Sequence, residues 1–204
     1  MIAELSQKLW WYTARSSGLV AWAVCTASIL WGLALSTRLV RRRGAPAWLL
    51  DLHRFLGLLS LVFTVVHIAA LYLHSHWEYK SIPFGPGELF VPFASKYRPA
   101  AVAWGIASFY LLLAIQISSW LMRYIKRKIW HTIHLSSFAM FVGATLHGFQ
   151  SGSDRGNALI QWAALTGCGF VAFLVFFRLL APKKAQIAEE RAAREQRAAV
   201  ASRG

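Results

Sequence analysis

The chain has 204 residues, 57% hydrophobic and 15% charged, with ten tryptophans and thirteen phenylalanines. A soluble domain carries about 25% charged residues, so this composition, with a mean hydropathy of +0.45, excludes an ordinary globular protein and indicates an integral membrane one. The formal net charge of +14 would suit nucleic acid, but the basic residues stand in blocks between long apolar runs, as in membrane-protein loops, and no nucleic-acid partner is expected.

A hydrocarbon core of about 30 Å takes roughly 20 residues of apolar helix, and five segments meet that requirement. Residues 1–16, with Glu4, Lys8, Trp10, Trp11, Tyr12 and Arg15, read as an interfacial N-terminal segment. They lack the basic start and small-residue cleavage site of a secretory signal, so the first helix is expected to be retained. That helix is expected over 17–37 and the second over 48–73. Residues 75–99 form a long connection with Trp77, Phe84, Phe90, Phe93 and four prolines, a composition that predicts a folded lid rather than a linker. Three more helices follow over 100–122, 129–149 and 158–180. The polar, alanine-rich remainder, 181–204, reads as a basic tail that is solvated or lies on anionic lipid. The fold class expected is therefore an all-α, integral membrane helical bundle of about five transmembrane helices, multi-pass in the cell membrane.

Charge sets the expected orientation. Sixteen of the 22 lysines and arginines fall on one side, including Arg38, Arg41, Arg42, Arg43, Arg54, Arg123, Lys126, Arg127, Lys128, Arg178 and the tail. Six fall on the other: Lys8, Arg15, Lys80, Lys96, Arg98 and Arg155. The basic side is expected to be cytoplasmic, with the N-terminus outside and the C-terminus cytoplasmic. Cys25 and Cys168 both lie in apolar runs, form no ligand or disulfide pattern, and read as small packing residues.

The seven histidines concentrate on two of the five segments: His53, His67, His74 and His76 on or just after the second, and His131, His134 and His147 on the fourth. Ionisable side chains inside a membrane helix are rare and mark function. His53 and His67 lie ~21 Å apart along a helix and His134 and His147 ~20 Å. One helix separates the two segments, so they run in the same direction, and His53 can face His134 while His67 faces His147. Facing imidazoles at two levels suit two bis-histidine haems, one near each surface. Zinc fits less well, because its closed sites gather four ligands at one point. On ideal helices His67 returns to within ~40° of His53, along a stripe of Gly57, Ser60 and Thr64 expected to leave room for porphyrin. His147, however, falls ~140° from His134. A tilt, a π-bulge or a bend near Gly143 is needed to bring it round. His134 matches the rise of the second helix better than His131. His74 and His76 are expected at the outer interface, and Arg54 beside His53 is a candidate partner for a haem propionate.

The stretches HRFLGLLSLVFTVVHIAALYLH and KIWHTIHLSSFAMFVGATLHG resemble the ferric reductase-like transmembrane domain family. That family includes ferric reductases, NADPH oxidases and the haem-binding membrane subunit of the periplasmic methionine sulfoxide reductase system. The resemblance extends over roughly 17–180, and the 14- and 13-residue histidine spacings are its specific part. It implies that His53 and His134 ligate an inner haem b and His67 and His147 an outer one. The implied activity is transmembrane electron transfer, as an oxidoreductase or the electron-transfer subunit of one, to ferric iron, oxygen or an outer partner protein. No glycine-rich nucleotide fingerprint is present, so a separate cytoplasmic flavin reductase or quinone is expected as donor. Two other functions fit the residues: a cytochrome b anchor of a quinone-linked dehydrogenase complex, and a haem-free transporter using titrating histidines.

Overall fold

The computed structural model describes residues 2–37, 47–77 and 84–180, the side chains of 2–7, 37, 76, 77 and 155 excepted. Arg38, Arg41, Arg42, Arg43, Lys80, the side chains of His76 and Arg155, and the tail beyond 180 thus lie outside the described residues. Every regular element among those described is helical. α1 spans Ile2–Thr37, α2 Trp48–Trp77, α3 Pro86–Phe90, α4 Pro99–Trp120, α5 Arg127–Leu135, α6 Ser137–Ser151 and α7 Ala158–Leu180, with a 3-10 turn at Ser153–Gly156 before α7.

Among the described residues, four helices are long and apolar enough to cross a membrane: α1 over Lys8–Ser36, α2 over Trp48–Ser75, α4 over Pro99–Trp120 and α7 over Ala158–Leu180. α7 coincides with its expected range. α1 instead begins fifteen residues before the expected start at Ser17, so the segment assigned to the interface continues the same rod. The stretch expected as a fifth spanning helix is instead two shorter helices, neither long enough by itself to be a span. α5 stops at Ser136, whose N–H bonds to the Ile133 carbonyl at 3.1 Å. α6 starts from the same residue, whose carbonyl accepts the Met140 N–H at 2.9 Å. One tightened turn of the 3-10 kind therefore separates two short helices. This is a multi-pass helical membrane protein.

Local chemistry explains the ends. Pro86 and Pro99 open α3 and α4 at positions where a missing N–H loses nothing. Asn157 caps α7, its side-chain oxygen accepting the N–H of Leu159 at 2.9 Å. The lid is partly folded as expected: Phe84, Leu89 and Ser95 are buried. Tyr97 donates to the Ser151 carbonyl at 3.2 Å and Tyr110 to the Phe90 carbonyl at 2.7 Å. Arg15 pairs with Asp154, tying α1 to the turn before α7.

α1 is the central rod. It packs along α2 on one side and touches α6 and α7 on the other, while α4 packs along α6. The apolar core joins Cys25, Ile29 and Leu33 of α1 to Leu112 and Ile115 of α4, Met140 and Phe141 of α6 and Val171 of α7. Trp22 stacks on Phe141 and donates to the Thr145 hydroxyl at 3.0 Å. α1 and α2 bury small side chains, Ala14, Ser17, Ala21 and Ser28 on one and Ser60 and Ala70 on the other, and Ser60 reaches the Ala21 backbone directly, as close helix approach requires. Outward faces are apolar, as lipid requires; Leu159 and Leu179 of α7 are 78% and 77% exposed.

The contact between α1 and α2 gives a test. Ser60, 3% exposed, donates to the Ala21 carbonyl at 3.3 Å. Ser60→Leu is expected to destabilise the fold by about 1–3 kcal/mol through overpacking. Leu58→Ala, on the lipid-exposed face of the same helix, should change little. Denaturant unfolding in detergent micelles measures both.

Candidate histidine-pair site

In a bilayer interior an imidazole N–H has no water to bond, so it must find a protein acceptor. Helical carbonyls are the available ones, each with a second lone pair beyond its helix bond, but side chains normally cover them. A Cα–Cβ bond tilts toward the helix N-terminus, so the Cβ of residue i overhangs the carbonyl of residue i−4. Glycine at i leaves that carbonyl open.

Three histidines use this opening. The His67 ring lies against Gly18, where an added Cβ would stand 2.9 Å from Nδ1, and Nδ1 donates to the Ala14 carbonyl at 2.7 Å. His53 lies against Gly32, where a Cβ would stand 3.0 Å from Cε1, and donates to the Ser28 carbonyl at 3.0 Å. His147 lies against Gly105, with a Cβ 2.6 Å from Nδ1, and donates to the Ala101 carbonyl at 2.8 Å. Each acceptor precedes its glycine by four residues. Because a carbonyl only accepts, each Nδ1 carries the proton, and each Nε2 is left with a free lone pair.

The rings then pair across the bundle. His53 and His134 have centroids 6.0 Å apart with planes at 70°. His67 and His147 have centroids 6.3 Å apart with planes at 81°. α2 and α6 themselves do not pack closely along their lengths; the imidazoles face each other between them. The sequence-derived pairing is therefore the geometric one, and the phase difficulty for His147 disappears because the helix breaks. The break lies at Ser136, just after His134, rather than near Gly143, which packs against Ser108 and Trp104.

His131 is exposed and touches only the Trp130 ring among the described ring contacts, so His134 is the inward residue of the two. Trp130 also stacks on His134 at 5.1 Å. His74 lies 5.4 Å from the Trp11 ring. Arg54 is exposed and pairs with Asp51 at 3.2 Å. The stripe expected to leave room for porphyrin is differently used. Ser60 closes against α1, and Gly57 faces the Gln116 side-chain oxygen of α4, because both lie on the side of α2 that packs. Sequence reading missed Gly18, Gly32 and Gly105. The signal was present: Gly18 and Gly32 repeat, on the antiparallel α1, the 14-residue interval of His53 and His67. Among the described residues, no three His, Cys, Asp or Glu side chains gather as a metal-ion cluster.

Fold and site together define a helical membrane protein that sets two histidine pairs at two depths. The profile of the ferric reductase like transmembrane component matches residues 17–145, and the chain belongs to that family. The match takes in His53, His67 and His134; His147 lies two residues past its end. No curated protein and no solved structure matches the chain.

Transmembrane domains of this family are generally haem-binding, and the residues fit such a group. Ring centres 6.0 and 6.3 Å apart would leave room for one metal atom between two imidazoles that each bind it through a bond of about 2 Å. A ligating histidine also ordinarily donates its other nitrogen to a carbonyl or carboxylate, as three of the four do.

The glycines give a second test. Gly105→Ala is expected to destabilise the protein by about 1–3 kcal/mol, because the His147 ring must shift. Gly148→Ala, where an added Cβ meets nothing within 4 Å, should stabilise it by up to about 1 kcal/mol. Thermal unfolding in one detergent compares the two.

Proposed function

We propose that this protein carries electrons across the membrane through two b haems, one held by His53 and His134 and the other by His67 and His147. The facing of both pairs at a separation suited to axial ligation, with Nδ1 tied down in three of the four rings, carries the reading. Haem iron supplies a one-electron carrier at each depth. The protein's own part is to hold the rings. α1 fixes both α2 histidines through the Ala14 and Ser28 carbonyls, and α4 fixes His147 through Ala101. The apolar core between α1, α4 and α6 would keep the packed pair α1–α2 at a constant separation from the packed pair α4–α6.

The basic bias of the sequence supports a cytoplasmic placement of the His53–His134 level and an outer placement of the His67–His147 level. A separate cytoplasmic flavin reductase or a quinol is then the donor class. Ferric iron, oxygen or an outer partner protein is the acceptor class. The partly folded 84–98 segment, which reaches Ser151 four residues beyond His147, stands where an outer acceptor would dock. Arg54 is proposed to leave Asp51 for a propionate of the inner haem.

Two measurements test the proposal. In proteoliposomes loaded with ferricyanide and reduced from outside by dithionite, the wild-type chain should transfer electrons, whereas His67→Ala and His147→Ala should fall to the protein-free background; equal rates reject the assignment. In the oxidised protein, ring planes held at 70° and 81° would leave the two π-symmetry d orbitals of a bound haem iron close in energy. A strongly anisotropic low-spin paramagnetic resonance signal is expected, and a weakly anisotropic one from parallel imidazoles would contradict the geometry.

A further inference from the structure

The carbonyl tether occurs at three histidines and fails at the fourth. On α1 the two glycines that open it, Gly18 and Gly32, are 14 residues apart. On α4 the same interval counted from Gly105 arrives at residue 119, and that residue is serine. Its Cβ covers the carbonyl of Ile115, four residues back, and its hydroxyl donates to that carbonyl at 2.7 Å. The neighbouring Ser118 hydroxyl reaches the same oxygen at 3.1 Å. The acceptor that the repeat would offer to His134 is therefore both covered and taken. Correspondingly, His134 Nδ1 is enclosed by protein and has no hydrogen-bond partner, and the face of its ring is covered by Trp130 instead.

We infer that Ser119 is a positioning residue that leaves His134 untethered, making the His53–His134 site the one with the weaker axial ligand and the higher reduction potential. The inference rests on the haem reading above. An Nδ1–H bonded to a carbonyl makes imidazole a more basic ligand and so favours the ferric state. The His67–His147 site has two such bonds and the His53–His134 site has one. An untethered ring is also the easier one for an added ligand to displace. The chemical consequence is a built-in asymmetry. Once reduced, the pair of carriers holds its electron preferentially at the site with the untethered histidine, and that site is where a small exogenous ligand would enter.

The test is a potentiometric titration of the purified protein followed in the visible region, with His147→Ala used to assign the components. Two b-type components are expected, the higher belonging to the site that survives His147→Ala. Ser119→Gly combined with Ser118→Ala should uncover and free the Ile115 carbonyl, lower that component and leave the other in place. Ser119→Ala, which keeps the Cβ, should leave both near their wild-type values. Carbon monoxide added to the reduced wild-type protein, a measurement needing no variant, should bind one haem and spare the other. Equal potentials, the reverse order, no shift when Ser119→Gly is combined with Ser118→Ala, a full shift in Ser119→Ala, or carbon monoxide binding equally at both sites would each overturn the inference. Absence of b-type absorption in the wild-type protein would instead reject the haem reading beneath it.

Discussion

A buried imidazole proton with nowhere to go is the constraint from which the site is built. In lipid the unmade hydrogen bond is costly, and the surrounding helices have already used their N–H groups and one lone pair of each carbonyl. The second lone pair solves the problem only if the side chain above it is removed. Gly18, Gly32 and Gly105 do this, and the three resulting bonds fix ring orientation, tautomer and helix spacing together. The same bonds make α1 more than packing material. It touches α2, α6 and α7 and carries the acceptors for both α2 histidines, so the position of each level depends on the register of α1 against α2.

That dependence explains the distribution of residue sizes. α1 and α2 bury Ala14, Ser17, Ala21, Ser28 and Ser60, and larger residues between the two helices would lengthen the reach from imidazole to carbonyl. The bulk of the aromatic and branched residues faces outward or joins the cluster around Met140 and Phe141. Hydroxyls inside the bundle mostly turn back onto their own helices, as Thr26, Thr64 and Ser108 do, so they add no unpaired polar groups.

Much of this was legible in the sequence because two periodicities are strong. Apolar runs fixed the helices, and α7 matched to the residue. The histidine intervals fixed the pairing, since two co-directional helices with nearly equal intervals have one natural alignment. What could not be read was the break at Ser136. No proline or glycine marks it; the Ser136 hydroxyl turns back onto the Ile133 carbonyl at 2.6 Å, a local signal weaker than either. The lead-in 1–16 was assigned by its aromatic and charged residues, which a helix continuing past the membrane surface carries equally well. The stripe on α2 was seen, but not that Gly57 and Ser60 face packed neighbours. A helical face shows which residues are small, not which neighbour they meet. The acceptor glycines stayed hidden because glycine in a membrane helix has several uses, and only the folded structure sets an imidazole against each.

The account as a whole requires each chain to hold two porphyrins at the two histidine levels. Pyridine haemochrome analysis of the purified, detergent-solubilised protein, set against protein concentration from amino-acid analysis, measures this directly. The account predicts two b haems per chain, falling to one in His67→Ala. A wild-type protein that folds and purifies with no haem, or a His67→Ala protein that keeps both, would contradict it.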